Sequence, residues 1–170
     1  MFEIPVLGIC AQSSGMGKTT LITTLLPALA MHGLKVSVIK QTHAEFDVDR
    51  PGKDSHRMRE AGAAQVLLSS ENRWVLMTEQ ETDASDNRLL YMVKYLDPSL
   101  ADIVLVEGFR EAPIPKIEVY RPSLGKSLLA DSDPHVIAIA TDGETETGLP
   151  ILDLNDPDAI ASFVLHWLAD

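Results

Sequence analysis

The sequence has a single cysteine, Cys10, so it can form no internal disulfide and fits a reducing compartment. Glycine and proline number only 10 each among 170 residues, which excludes collagen-like and low-complexity classes. Basic residues are scarce: 14 Lys and Arg stand against 25 Asp and Glu, for a formal net charge of -11. A surface this acidic repels phosphate backbones and anionic lipid, which sets aside nucleic acid and membrane surfaces as partners. No stretch approaches the ~20 apolar residues of a membrane span. The opening Met1-Phe2-Glu3-Ile4-Pro5 lacks the basic region and long apolar run of a signal peptide. The expectation is a cytoplasmic protein. The spacing of His32, His43 and His56 matches no zinc pattern, and Cys10 falls inside an apolar run, so no structural transition-metal site is expected.

What remains is enough apolar material for a core, 45% of the chain. Its pattern is short β-branched runs alternating with amphipathic stretches. Strands are expected at 5–10, 35–40, 65–69, 74–78, 103–106, 116–121, 136–140 and 151–154. Helices are expected at 18–32, closed by Gly33, at 55–61 with Asp54 as N-cap, at 86–96, and after Asp156-Pro157 at the C-terminus. Apolar strands separated by helices predict a single α/β domain over residues 1–170, with a mainly parallel sheet covered on both faces. Ligands of such sheets bind at the carboxyl ends of the strands, so chemistry is sought just after each one.

The first strand runs into Gln12-Ser13-Ser14-Gly15-Met16-Gly17-Lys18-Thr19-Thr20. This matches the phosphate-binding loop G-x-x-x-x-G-K-[ST], with Gln12 in place of the first glycine. The two remaining glycines let backbone N–H groups aim inward, Lys18 can reach the β/γ-phosphates, and the Thr19 hydroxyl can ligate Mg²⁺. The helix N-terminus adds positive partial charge. The expected nucleotide contacts are therefore Ser14, Gly15, Met16, Gly17, Lys18, Thr19 and Thr20. A second signature is Ile103-Val104-Leu105-Val106-Glu107-Gly108, in which a buried strand delivers a carboxylate to the sheet edge. There Glu107 can hold Mg²⁺ or orient the attacking water. Its expected role is catalytic.

The segment from Lys40 to Asp54 is long, polar and rich in both charge signs, as in a loop that senses a γ-phosphate. Asp47 and Asp49 are its metal-side acids, with Asp49 preferred; Lys40, Arg50 and Lys53 are its phosphate-side cations, and His43 lies among them. Later, Thr141-Asp142-Gly143 follows the strand at 136–140. Asp142 is either an acceptor for guanine N1–H and its amine or a turn residue before Gly143. No catalytic Gln or arginine finger stands out, and such groups are worth about 10³–10⁵ in rate, so any hydrolysis is expected to be slow.

Several segments together resemble the molybdopterin-guanine dinucleotide biosynthesis protein B family. They are Gly15-Met16-Gly17-Lys18-Thr19-Thr20, Asp47-Val48-Asp49-Arg50-Pro51-Gly52-Lys53-Asp54-Ser55, Ala61-Gly62-Ala63-Ala64-Gln65, Leu105-Val106-Glu107-Gly108-Phe109 and Pro115-Lys116-Ile117. Their order and spacing match across nearly the whole chain, and the Pro-Gly-Lys-Asp-Ser and Glu-Gly-Phe segments are the most specific. The resemblance implies a P-loop NTPase fold, GTP with Mg²⁺, weak GTPase activity and a homodimer. It also implies an adapter role beside the guanylyltransferase that joins GMP to molybdopterin, with molybdopterin itself as a further contact, and it favours Asp142 as the guanine reader. The rival readings are a small-molecule kinase, a pure binding module and a metal-delivery GTPase. A kinase needs an arginine-bearing lid, and Arg57, Arg59, Arg73 and Arg88 form none recognisable from sequence. Metal delivery needs a His/Cys cluster that the sequence lacks.

Overall fold

The computed structural model describes residues 3–42, 48–79 and 88–170. It divides into two compact units, Met1–Gln41 with Asp86–Asp170, and Thr42–Ser85.

The larger unit is built on six strands: β1 (Val6–Cys10), β2 (Val36–Lys40), β5 (Ile103–Glu107), β6 (Lys116–Tyr120), β7 (Val136–Thr141) and β8 (Ile151–Asp153). They lie in the order β2-β5-β1-β6-β7-β8, and every pair is parallel. Helices α1 (Lys18–Met31), α3 (Arg88–Val93) and α4 (Pro157–Ala169) cover it.

Strand parity sorts the core. Leu7, Ile9, Leu105, Ile117, Val119, Ala138 and Ala140 pack with Leu21, Leu25 and Leu29 of α1 and Ile160 and Val164 of α4. The alternate residues Val6, Val104 and Val106 pack with Leu89 and Val93 of α3. The central strands are thus buried on both faces, which is why β1 and β5 read as continuous apolar runs. α1 runs through Pro27 without interruption and ends where expected, the Gly33 N–H reaching the Ala30 carbonyl at 2.9 Å. α4 begins at Pro157, and the Asp156 carboxylate accepts the Ala159 N–H at 2.9 Å, a side-chain cap.

Four residues of β6 do not alternate between buried and exposed, although Lys116 and Glu118 are charged. Lys116, Ile117, Glu118 and Val119 are all buried, because β6 lies between β1 and β7. Lys116 stands opposite Gly8 of β1, where a Cβ would come within 2.9 Å of the lysine Cγ, so the glycine makes room for the lysine stem. The Lys116 ammonium pairs with Asp133 at 2.8 Å, and Glu118 accepts the Leu129 and Ala130 N–H groups at 2.8 and 3.0 Å. α3 is shorter than the pattern at 86–96 suggests: its described helix stops at Val93, and residues 86–87 lie outside the described residues.

The smaller unit contains α2 (Asp54–Glu60) and the antiparallel pair β3 (Gln65–Ser69) and β4 (Trp74–Thr78). Its hairpin matches the two expected strands, and its turn is closed by the Ser70 N–H bonded to the Arg73 carbonyl at 2.8 Å. Lys53, not Asp54, caps α2; Asp54 sits in the first turn, where its charge still favours the helix dipole.

Candidate functional site

The loop between β1 and α1 joins a strand to a helix, as its sequence predicts. Gly17 is the N-cap of α1 with φ 105°, a left-handed conformation that strains any residue with a Cβ. No side chain caps α1, and no acid sits in its first turn, so its N-terminal dipole is left to an anionic ligand. Ser14, Gly15, Thr19 and Thr20 are exposed, while Met16 is fully buried in the main core. Met16 therefore anchors the loop from beneath and can offer a ligand only its backbone. The Lys18 ammonium donates to the Ser13 carbonyl at 3.1 Å, curled over its own loop. The Gln12 side-chain oxygen is buried and has no hydrogen-bond partner, at the position where the motif usually has glycine.

Glu107 ends β5, the strand beside β1, with its side chain 12% exposed. The Thr19 hydroxyl donates to its carboxylate, 2.8 and 2.9 Å from the two oxygens. Parallel pairing sets Lys40, the last residue of β2, directly beside Glu107. The Lys40 ammonium lies 3.2 Å from Glu107 Oε1 and 3.1 Å from Thr19 Oγ1. Just beyond, the Gln41 N–H donates to the Glu107 carbonyl at 2.8 Å, and the Gln41 side-chain oxygen accepts the Phe109 N–H at 2.7 Å. Gly108 sits against this clamp at φ 99°, where a Cβ would come 2.6 Å from Gln41 Cβ. The ends of β2 and β5 are locked together through Gln41, a residue that no sequence motif marks.

At the other side of the loop, Asp142 follows β7 and forms an ion pair with Arg121, which follows β6. The Arg121 Nε–H also donates to the Met16 carbonyl at 2.9 Å, and its guanidinium lies over Gly17, 3.3 Å from where a Cβ would stand. One arginine thus joins the expected base reader to the phosphate loop. Sequence reasoning missed Arg121; the signal was its place at the end of an expected strand, on the same edge as Asp142. A cavity of about 770 Å³ lined by Gly143, Glu144, Thr145, Glu146 and Ile151 opens next along the chain from Asp142.

Other expected residues belong to the second unit or lie outside the described residues. Asp49 and Lys53 belong to the smaller unit. There Asp49 accepts the Arg50 N–H at 2.8 Å and lies 3.8 Å from Arg59 Nε, its side chain 5% exposed. His43 and Asp47 lie outside the described residues. Among the described residues no three His, Cys, Asp or Glu side chains converge as a metal centre. Cys10 is a core residue whose thiol is pushed up to about 12 by burial, then by the Glu118 charge, which leaves it inert.

A strand, a glycine-bearing loop and an uncapped helix, with an acid ending the neighbouring parallel strand, define a P-loop NTPase-like α/β protein. The chain belongs to the family described as molybdopterin guanine dinucleotide synthesis protein B, whose model matches residues 6–142. It is 45% identical to the molybdopterin-guanine dinucleotide biosynthesis adapter protein of Haemophilus influenzae, over 98% of this chain and 90% of that one. To the adapter protein of the same description from Escherichia coli it is 43% identical, over 97% and 94%. A crystal structure of a molybdopterin-guanine biosynthesis protein B aligns with a TM-score of 0.72 at 28% identity, covering 95% of this chain and 99% of that one. Among the described residues no helix is long and apolar enough to cross a membrane.

Proposed function

We propose that this protein is an adapter in molybdopterin-guanine dinucleotide biosynthesis that binds GTP·Mg²⁺ in the β1–α1 loop and hydrolyses it slowly. In this reading it works as a cytoplasmic homodimer beside the guanylyltransferase that joins GMP to molybdopterin. The observation that carries the nucleotide assignment is the Thr19–Glu107 contact, which joins the phosphate loop to a strand end 88 residues away. A hydroxyl and a carboxylate are hard oxygen donors of the kind Mg²⁺ takes, so these two residues fit the metal and would hold it. When bound, Mg²⁺ would neutralise charge on the phosphate oxygens. Lys18 turns from the Ser13 carbonyl to the phosphates, the loop N–H groups hold their oxygens, and Glu107 orients the attacking water. Asp142 reads the guanine N1–H and amine, donors that adenine does not present together.

The test is calorimetry of GTP and ATP with and without Mg²⁺. GTP binds more tightly than ATP, and Lys18→Ala weakens GTP at least tenfold, roughly what one charge-assisted hydrogen bond contributes. Equal affinity of wild type and Lys18→Ala overturns the phosphate-loop assignment. Equal GTP and ATP affinities return the kinase reading.

A further inference from the structure

We propose that Lys40 is the resident cation of the Thr19–Glu107 site: its ammonium holds the position a divalent cation would take and must leave before the metal binds. The inference rests on the reading that Thr19 and Glu107 hold Mg²⁺. Its grounds are geometric. The Lys40 ammonium is 3.2 Å from the Glu107 carboxylate and 3.1 Å from the Thr19 hydroxyl, and the same hydroxyl bonds both carboxylate oxygens. Three groups from three elements close one small network whose only formal cation is the lysine.

The placement is imposed by the backbone. Lys40 and Glu107 are register partners on adjacent parallel strands, and Gln41 fixes the strand ends on both its backbone and side chain. The Glu107 side chain is nearly buried and needs a counter-charge, whereas the Lys40 side chain is 49% exposed, long and free to swing. A single carboxylate cannot hold an ammonium and a divalent cation at contact distance without direct repulsion between the two. Metal binding therefore displaces Lys40, and the displaced ammonium is released beside the phosphate loop, where an incoming phosphate is its nearest anion. The lysine weakens metal binding to the empty protein and leaves it favourable once nucleotide supplies a second partner for the ammonium. Metal and nucleotide are thereby coupled through one side chain.

The test is Mn²⁺ binding to the full chain, followed by electron paramagnetic resonance of the free ion, without nucleotide and with saturating GDP. Without nucleotide, Lys40→Met tightens Mn²⁺ by about tenfold, within the usual range of coupling between two sites, and Lys40→Arg stays weak like wild type. A gain in affinity is a result that mere damage to the fold does not produce. With GDP the advantage of Lys40→Met shrinks. If Mn²⁺ binding is lost in Glu107→Gln but is the same in Lys40→Met and wild type, the resident-cation role is overturned and the metal site stands. If Glu107→Gln and wild type bind Mn²⁺ equally, or neither binds it even with GDP, the metal reading itself fails and the role of Lys40 with it.

Discussion

In the proposed nucleotide site, Arg121 and Asp142 would do two jobs that single substitutions can separate. Asp142 is the only one of the pair aimed by sequence logic at the base, while Arg121 holds the Met16 carbonyl and so the shape of the phosphate loop. Asp142→Asn replaces one of the two acceptor oxygens that guanine's two donors would use with an NH2 donor. Leaving a buried polar group unpaired costs about 1–3 kcal/mol, so the preference for GTP over ATP should narrow by roughly ten- to a hundredfold. Arg121→Ala should weaken GTP, ATP and inorganic triphosphate alike, because it acts on the loop that all three share. Calorimetry with the three ligands distinguishes the cases: an Arg121→Ala variant that loses selectivity but keeps triphosphate binding refutes the division. At this scale the meeting of Thr19 and Glu107 was legible in the sequence, because each sits at a fixed offset from a strand or a glycine. The sequence hid Arg121 and Gln41, whose roles come from neighbouring strands that only the sheet order brings together.

Among the elements, β6 shows where pattern reading fails and why. Lys116 and Glu118 at every second position look like an exposed face, yet both are buried beside β1 and β7. Their charges are met by the segment before β7, through the Leu129 and Ala130 N–H groups and Asp133. Such compensation is a tertiary fact with no local signature, whereas β1, β5 and the hairpin are fixed by their own residues. The pair has a measurable consequence. Burial raises the Asp133 carboxyl, but the hydrogen bonds from Lys116 and the His135 N–H, with the Lys116 charge, outweigh it and hold the group below its ordinary 3.8. A lowered carboxyl contributes stability that is present above the ordinary value and lost as pH falls through the folded one. Glu118 has the opposite sign: burial, the largest effect, raises it despite the two N–H bonds, so its contribution is lost as pH rises through the folded value. Comparing Lys116→Met with wild type isolates the first effect. In urea denaturation the variant should be destabilised by about 1–3 kcal/mol at pH 7, and the gap should shrink as pH falls from the ordinary carboxyl value of 3.8 through the lowered folded one. A gap that is constant with pH means that the pair contributes packing and not charge.

For the whole molecule, the two units pose different problems. The larger unit carries the six-stranded sheet and two core faces, and it contains Lys18, Thr19, Lys40, Glu107, Arg121 and Asp142. The smaller has little core: among its described residues only Ser55, Val66 and Met77 are buried. Its two-stranded sheet is of a kind that is marginal alone in water. Register puts Val66 and Met77 on one face of the hairpin, and Leu67, Leu76 and Trp74 on the other. On that second face Leu67 is 59% and Trp74 63% exposed. An aromatic and a leucine open to water on a thin hairpin fit a protein interface better than a solvent face. If the homodimer proposed above uses this face, two such faces meet in one isologous contact. Charge gives a further handle. Two chains of formal charge -11 repel each other, so apolar burial has to overcome that repulsion. Raising the salt screens the repulsion and leaves the apolar term, and the dimer should therefore tighten from low to physiological ionic strength. Sedimentation equilibrium measures this directly. Leu67→Glu with Trp74→Glu should give monomers at every salt concentration while GTP binding persists, because the proposed phosphate-loop and base-reading residues belong to the other unit. A wild-type chain that is monomeric at tens of micromolar, or a double variant that still dimerises, shows that the hairpin face serves something other than self-association.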